Sequence, residues 1–227
     1  TTLGTSNYRA GVNAGNSIVS GGNFNVVIGD EAGTAITTGI QNTLIGGLAG
    51  DALTDADFNV AIGLSALSGD TLGSKSIAIG VNALQAQNFT SATDALNVVI
   101  GHNSGAAVTT GVNNTLIGGL AGVALTDADL NVAVGKGALT ADTLGSQSVA
   151  IGFAALEAQN FTSATNTFNV AVGSAAGASI STGVHNTMIG ALAGDGTNDG
   201  VRNVALGYQA LSANCGDNNT ALGTQSL

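Results

Sequence analysis

One five-residue phrase recurs through this chain: Asn or Ser, then Val, Thr or Ile, then an apolar residue, then Ile, Val or Leu, then Gly. It begins at Asn25, Asn42, Asn59, Ser76, Asn97, Asn114, Asn131, Ser148, Asn169, Asn186, Asn203 and Asn219. The steps are 17, 17, 17, 21, 17, 17, 17, 21, 17, 17 and 16 residues, so three steps of 17 and one of 21 make a second period of 72. Residues 42–58 and 114–130 are identical at 15 of 17 positions, and a degenerate copy lies at residues 7–15. A fixed short period of this kind dictates a repeat architecture before any single element is assigned.

Each phrase reads as a short strand ended by a glycine turn, as in Asn59-Val60-Ala61-Ile62-Gly63. The dozen residues that remain are too few for a crossover helix with its loops. Parallel strands joined by such short excursions make an all-β parallel β-solenoid, or β-roll, each coil stacked on the last at about 4.8 Å. The expectation is about 13 short coils with a 17-residue step, flattened into two sheets, in a single repetitive segment over 1–227. Its super-repeats run 25–96, 97–168 and, in part, 169–227, with degenerate coils at 1–24.

Alternation along a strand puts the second and fourth phrase positions on one face and the third on the other. The fourth column, Ile28, Ile45, Ile62, Ile79, Ile100, Ile117, Val134, Ile151, Val172, Ile189, Leu206 and Leu222, is aliphatic throughout and is expected to be the core. The third is apolar too, from Val27 and Leu44 to Ala221. A strand apolar on both faces calls for cover on both, and a thin roll supplies only one. The second cover is expected from further copies of the same chain, in an intertwined or side-by-side parallel homotrimer. At the first position Asn25, Asn42, Asn59, Asn97, Asn114, Asn131, Asn169, Asn186, Asn203 and Asn219 are expected to form a ladder of stacked side-chain amides.

Composition narrows the function. Only 8% of residues are charged, against roughly 25% in an average soluble domain, and the formal net charge is −10 with 4 basic residues. Phosphate neutralisation needs Lys and Arg, so no nucleic-acid partner is expected, and an anionic membrane surface would repel the chain. No apolar run reaches the length that spans a bilayer, so membrane insertion is not expected. With no proline, collagen and polyproline rods are excluded. Cys215 is the one cysteine, so no intrachain disulfide can form. The chain opens at Thr1 rather than a methionine, which is expected of a processed product or a segment of something longer.

The phrases at 203–211 (NVALGYQAL) and 219–223 (NTALG) resemble repeats of phage and prophage tail-fibre proteins, where such repeats often precede an endosialidase-type intramolecular chaperone. The phrase SVAIG at 148–152 is similar to the head repeat of trimeric autotransporter adhesins, a trimeric β-roll, although those heads step nearer 14 residues than 17. The resemblance covers about 200 residues. It implies a viral structural protein, a tail fibre or similar appendage located on the virion or an extracellular surface, acting as a rigid trimeric spacer that contacts host glycan or a protein receptor. The alternatives are a bacterial trimeric adhesin head, an ice- or crystal-surface-binding solenoid, and the stalk of a depolymerising tail spike. The ice reading wants Thr at constant positions, whereas Thr43, Thr115, Thr187 and Thr220 alternate irregularly with Val26, Val60 and Val98.

Candidate chemistry concentrates in the two 21-residue coils. Gln87, Asn88, Phe89 and Thr90 in one, and Gln159, Asn160, Phe161 and Thr162 in the other, combine amide, ring and hydroxyl as a carbohydrate site does. The bland reading is that both Phe rings fill a gap. Asp55/Asp57 and Asp127/Asp129 are too few oxygens for calcium and read as turn residues. His102 and His185 lack partners for a metal set. The Asn-x-Thr triplets at Asn88, Asn113, Asn160 and Asn218 fit the glycosylation pattern, at a frequency chance supplies in so Asn- and Thr-rich a chain. No Ser/His/Asp set or phosphate loop emerges, so no catalytic residue, metal or cofactor is expected and the chain reads as a non-enzyme.

Overall fold

The computed structural model describes residues 4–226. Every phrase becomes a three-residue strand, because β-branched residues favour extended backbone and the closing Gly adopts a φ near +135° that ends it, as at Gly46. The chain divides into two units, 1–113 and 114–227. In the first, β1 (Tyr8–Ala10), β2 (Val26–Ile28), β3 (Thr43–Ile45), β4 (Val60–Ile62), β6 (Ile77–Ile79) and β8 (Val98–Ile100) pair in that order, all parallel. A minor pair joins β5 (Gly73–Ser74) to β7 (Thr93–Asp94). In the second, β9 (Thr115–Ile117), β10 (Val132–Val134), β12 (Val149–Ile151), β14 (Val170–Val172), β15 (Thr187–Ile189), β16 (Val204–Leu206) and β17 (Thr220–Leu222) pair likewise, with β11 (Gly145–Ser146) on β13 (Thr165–Asn166). This is an all-β parallel β-solenoid of about thirteen turns at a 17-residue step, with no helix among the described residues.

Each phrase position lies beside the same position of its neighbour, as in Leu44 beside Ala61, so the repeat fixes the register. The expected second sheet is reduced to the two short pairs. Elsewhere the far side is turns, tied coil to coil by single backbone bonds such as Gly50 N–H to Ala66 C=O at 2.9 Å.

The core lies on the opposite strand face from the one expected. The third column, from Val27 through Leu44, Ala61 and Ala78 to Ala205, is fully buried, whereas Ile28, Ile45, Ile62, Ile79, Ile100, Ile117, Val134 and Val172 point outward and are half-buried. Ile151, Ile189, Leu206 and Leu222 of that column are exposed. The ladder asparagine decides the parity: its amide must reach carbonyls inside the coil, and the third position shares its face. Size compensation holds this interior together. Where the third residue is large, the residue six places on is glycine, as in Leu44/Gly50 and Leu116/Gly122. A Cβ on Gly50 would lie 2.9 Å from Leu44 Cδ2 and 2.8 Å from Leu53 Cδ1. Where the third residue is Ala the partner is Leu, as in Ala61/Leu67 and Ala78/Leu84, with Ala171/Gly177 the exception, and Leu67 and Leu84 are fully buried despite φ of 54° and 51°.

Asp51 is placed less comfortably. Burial raises its pKa, and the nearby Glu31 adds to the rise against the lowering by backbone N–H groups at Asp51 and Ala52. Its Oδ1 has no hydrogen-bond partner. A folded state that holds the proton more tightly than the unfolded chain loses stability as pH climbs through the raised titration range. The matching residue of the 114–130 coil is Val123. Asp51→Val is therefore expected to unfold at higher temperature than wild type at neutral pH, with the difference closing as pH falls below the ordinary carboxylate range. Thermal melts across pH 3–7.5 check this, and a constant gap would contradict it.

Candidate functional site

The Asn column is buried and fully engaged. Asn25 Oδ1 accepts the Asn42 backbone N–H at 2.9 Å, and Asn42 Oδ1 accepts that of Asn59 at 2.9 Å. Each Nδ2 donates to a carbonyl fourteen residues on, Gly39 from Asn25 and Ala56 from Asn42. In the second unit Asn131, Asn186 and Asn203 repeat the pattern. The ladder therefore runs mostly through backbone groups, satisfying donors that would otherwise be buried without partners.

Ser76 and Ser148 interrupt that column, since a serine has no amide to pass on. The 21-residue coils supply the substitute. Gln87 is fully buried, with Nε2 donating to Asp70 Oδ2 at 2.6 Å and Ser76 Oγ at 3.3 Å, while its Oε1 accepts from Asn97 Nδ2 at 2.8 Å. Asp70, fully buried too, accepts the N–H groups of Gly73 and Phe89 at 3.0 and 3.1 Å. The second unit repeats this with Asp142, Gln159, Ser148 and Asn169. Asp70 and Gln87 occupy the interior column that elsewhere holds Ile36 and Leu53. Sequence reasoning missed Asp70 and Asp142, although a carboxyl residue at an otherwise apolar coil position, twice, is the signal that would have found them.

This placement takes Gln87, Phe89, Gln159 and Phe161 out of the carbohydrate reading of the long coils. Phe89 and Phe161 are only 7% exposed, and Gly73 makes room for the Phe89 ring, a Cβ there coming within 2.8 Å of Phe89 Cδ2. Gln87 and Gln159 are committed to the interior. No ring face and no Gln amide is left for a sugar. Asn88, Thr90, Asn160 and Thr162 are exposed.

A second column, also missed, runs along the turns. Thr37 Oγ1 donates to Thr54 C=O, Thr54 Oγ1 to Thr71 C=O and Thr71 Oγ1 to Phe89 C=O, at 3.2, 3.1 and 2.8 Å. These hydroxyls are spent on the chain itself. The acidic residues also tie one coil to the next: Asp57 Oδ1 accepts the Ile40 N–H at 2.7 Å and Asp55 bonds Thr38. His185 is exposed and stacks on Phe168 with ring centroids 5.2 Å apart, and His102 is exposed. Among the described residues no cluster of three or more His, Cys, Asp or Glu side chains is placed to hold a metal, and no pocket is present.

The remaining distinctive surface is the outward sheet face. In one coil it presents Phe58, Val60, Ile62 and Leu64 side by side, and above it Lys75, Ile77, Ile79 and Val81. Phe58 and Leu64 are 44% and 52% exposed. Residues preceding the ladder position, Phe24, Phe58, Leu130 and Phe168 among them, hold φ between 51° and 63°, a conformation that costs a bulky residue roughly 1 kcal/mol or more. Comparison with protein-family models, with curated proteins and with solved structures gives no match for this chain.

Proposed function

We propose that this chain is a rigid structural segment of a fibre, in which parallel copies, three in number, cover one another's outward sheet faces. The setting that fits is a phage tail fibre or similar surface appendage, with the segment on a virion or cell exterior, acting as spacer and contacting a host surface. The observation that carries this reading is the outward apolar face. Soluble monomers rarely leave so extended an apolar surface to water, and here it is repeated coil after coil while charge is confined to 8% of residues. Exposed phenylalanines on a left-handed backbone add weight, because the backbone cost has no offsetting burial within the chain.

The test is to place charge on that face. Ile62→Lys with Ile79→Lys leaves the interior columns untouched and sets two ammonium groups where copies would meet. Size-exclusion chromatography with light scattering is expected to show the wild type as an oligomer and the variant as a monomer with the same far-ultraviolet β signal. A variant that assembles like wild type would remove the sheet face from the account.

A further inference from the structure

The two 72-residue repeats allow each surface to be compared with its own copy. On the outward sheet face Leu64, Lys75 and Val81 are matched by Lys136, Gln147 and Phe153. Residues 86–93, in contrast, reappear unchanged at 158–165 as AQNFTSAT. Packing accounts for Gln87 and Phe89. The contact with Thr71 accounts for Asn88, but nothing of the kind accounts for Thr90, Ser91 and Ala92, which are exposed, as are their copies, and exposed positions ordinarily tolerate substitution within about 0.5 kcal/mol.

These exposed residues are firmly held. Asn88 N–H donates to Thr109 C=O at 3.0 Å, Asn88 Oδ1 lies 3.1 Å from Thr71 Oγ1 and shares the hydroxyl proton that Thr71 gives to Phe89 C=O, and Thr93 Oγ1 donates to Ser91 C=O at 3.0 Å. In the second unit Asn160 N–H donates to Ser181 C=O at 2.9 Å, Asn160 Oδ1 lies 3.2 Å from Thr143 Oγ1 and shares the proton that Thr143 gives to Phe161 C=O, and Thr165 Oγ1 donates to Ser163 C=O at 2.9 Å. The buried Phe and the Asp70–Gln87 bonds anchor the segment from below. What stays unbonded at the tip is the Asn88 Nδ2 group and the hydroxyls of Thr90 and Ser91. A fixed amide donor beside two hydroxyls, with no charge among residues 86–93, is preorganised for a neutral hydroxyl-bearing ligand.

We propose that each tip, residues 88–92 in one unit and 160–164 in the other, is a contact site for a neutral saccharide, read by hydrogen bonds rather than by ring stacking. The assignment rests on the fibre reading only in taking the ligand to be a surface glycan. The tips lie outside the outward sheet face, so covering that face does not itself cover them. The test uses the full chain on a printed array of neutral oligosaccharides of glucose, galactose, mannose and N-acetylhexosamines, with sialylated and sulfated members as the anionic arm. Saturable binding to a neutral member is expected, weakened about tenfold or more when Thr90→Val, Ser91→Ala, Thr162→Val and Ser163→Ala are combined, because two modest contacts are lost together. The circular dichroism and sedimentation of that variant are expected to match wild type. No neutral binding, binding confined to the anionic arm, or binding that the variant keeps would each overturn the site. Sedimentation of the same samples reports the fibre reading independently, so a saccharide-binding monomer would sink that reading and leave the tips standing.

Discussion

Gly46→Ala is expected to lower the melting temperature by about 10–15 °C while Gly47→Ala, one residue on, changes it little. Gly46 has a φ of +135°, and a Cβ there would come 2.5 Å from the carbonyl oxygen of Gly63 in the next coil, a backbone atom that cannot move without shifting the stack. Strain in that conformation and the clash together are worth roughly 3–5 kcal/mol, and a domain of this size loses about 2–4 °C per kcal/mol. Gly47 has ordinary backbone geometry, and its nearest neighbour would be Leu64 Cδ1 at 3.4 Å, a normal contact. Differential scanning calorimetry of the two variants decides the matter, and equal melting temperatures would show that the coil-to-coil approach at this glycine is not tight.

Gln87→Ala is the second large effect. It removes one side chain and leaves buried polar groups short of partners: Asp70 Oδ2 loses its 2.6 Å donor and Ser76 Oγ its 3.3 Å donor, while Asn97 Nδ2 loses its 2.8 Å bond to Gln87 and keeps the one to Gly111 C=O. An unpaired buried polar group costs about 1–3 kcal/mol, more where a carboxyl group is involved, so a loss of roughly 3 kcal/mol or more is expected from chemical denaturation. Coupling should be visible in a double-mutant cycle with Asp70→Ala, since once either partner is gone the other has less to lose. Losses that simply add would show that the two residues act separately. The same cycle at Asp142 and Gln159 should repeat the result in the second unit.

The coil architecture was legible because stacking demands that each step present the same residue types at the same place, and Asn-x-x-Ile-Gly leaves no other reading. Strand parity was not, because Val26, Val27 and Ile28 are all apolar and alternation alone does not say which side is inside. Two residue patterns carry the answer. An Asn repeated in all but two of the phrases is kept for buried backbone groups, which places the third position inward with it. Leu44 opposite Gly50 and Ala61 opposite Leu67 exchange volume, as only side chains sharing an interior do. For the long coils the sequence announced the amides and rings but not their direction. Phe89 is drawn inward by apolar burial, and Gln87 by the gap that Ser76 leaves in the ladder. Neither pull is visible until Ser76, Asp70 and Gln87 are seen to stack.

Composition acquires a spatial meaning from this arrangement. Interior columns take Ala, Leu and Asn, turns take Gly and Thr, and one face is left apolar although nothing in the single chain covers it. The central claim is that copies of the chain cover it. Sedimentation equilibrium of the purified chain tests this most directly: a species of three times the 21.8 kDa protomer mass is expected, and a stable monomer at micromolar concentration would contradict it.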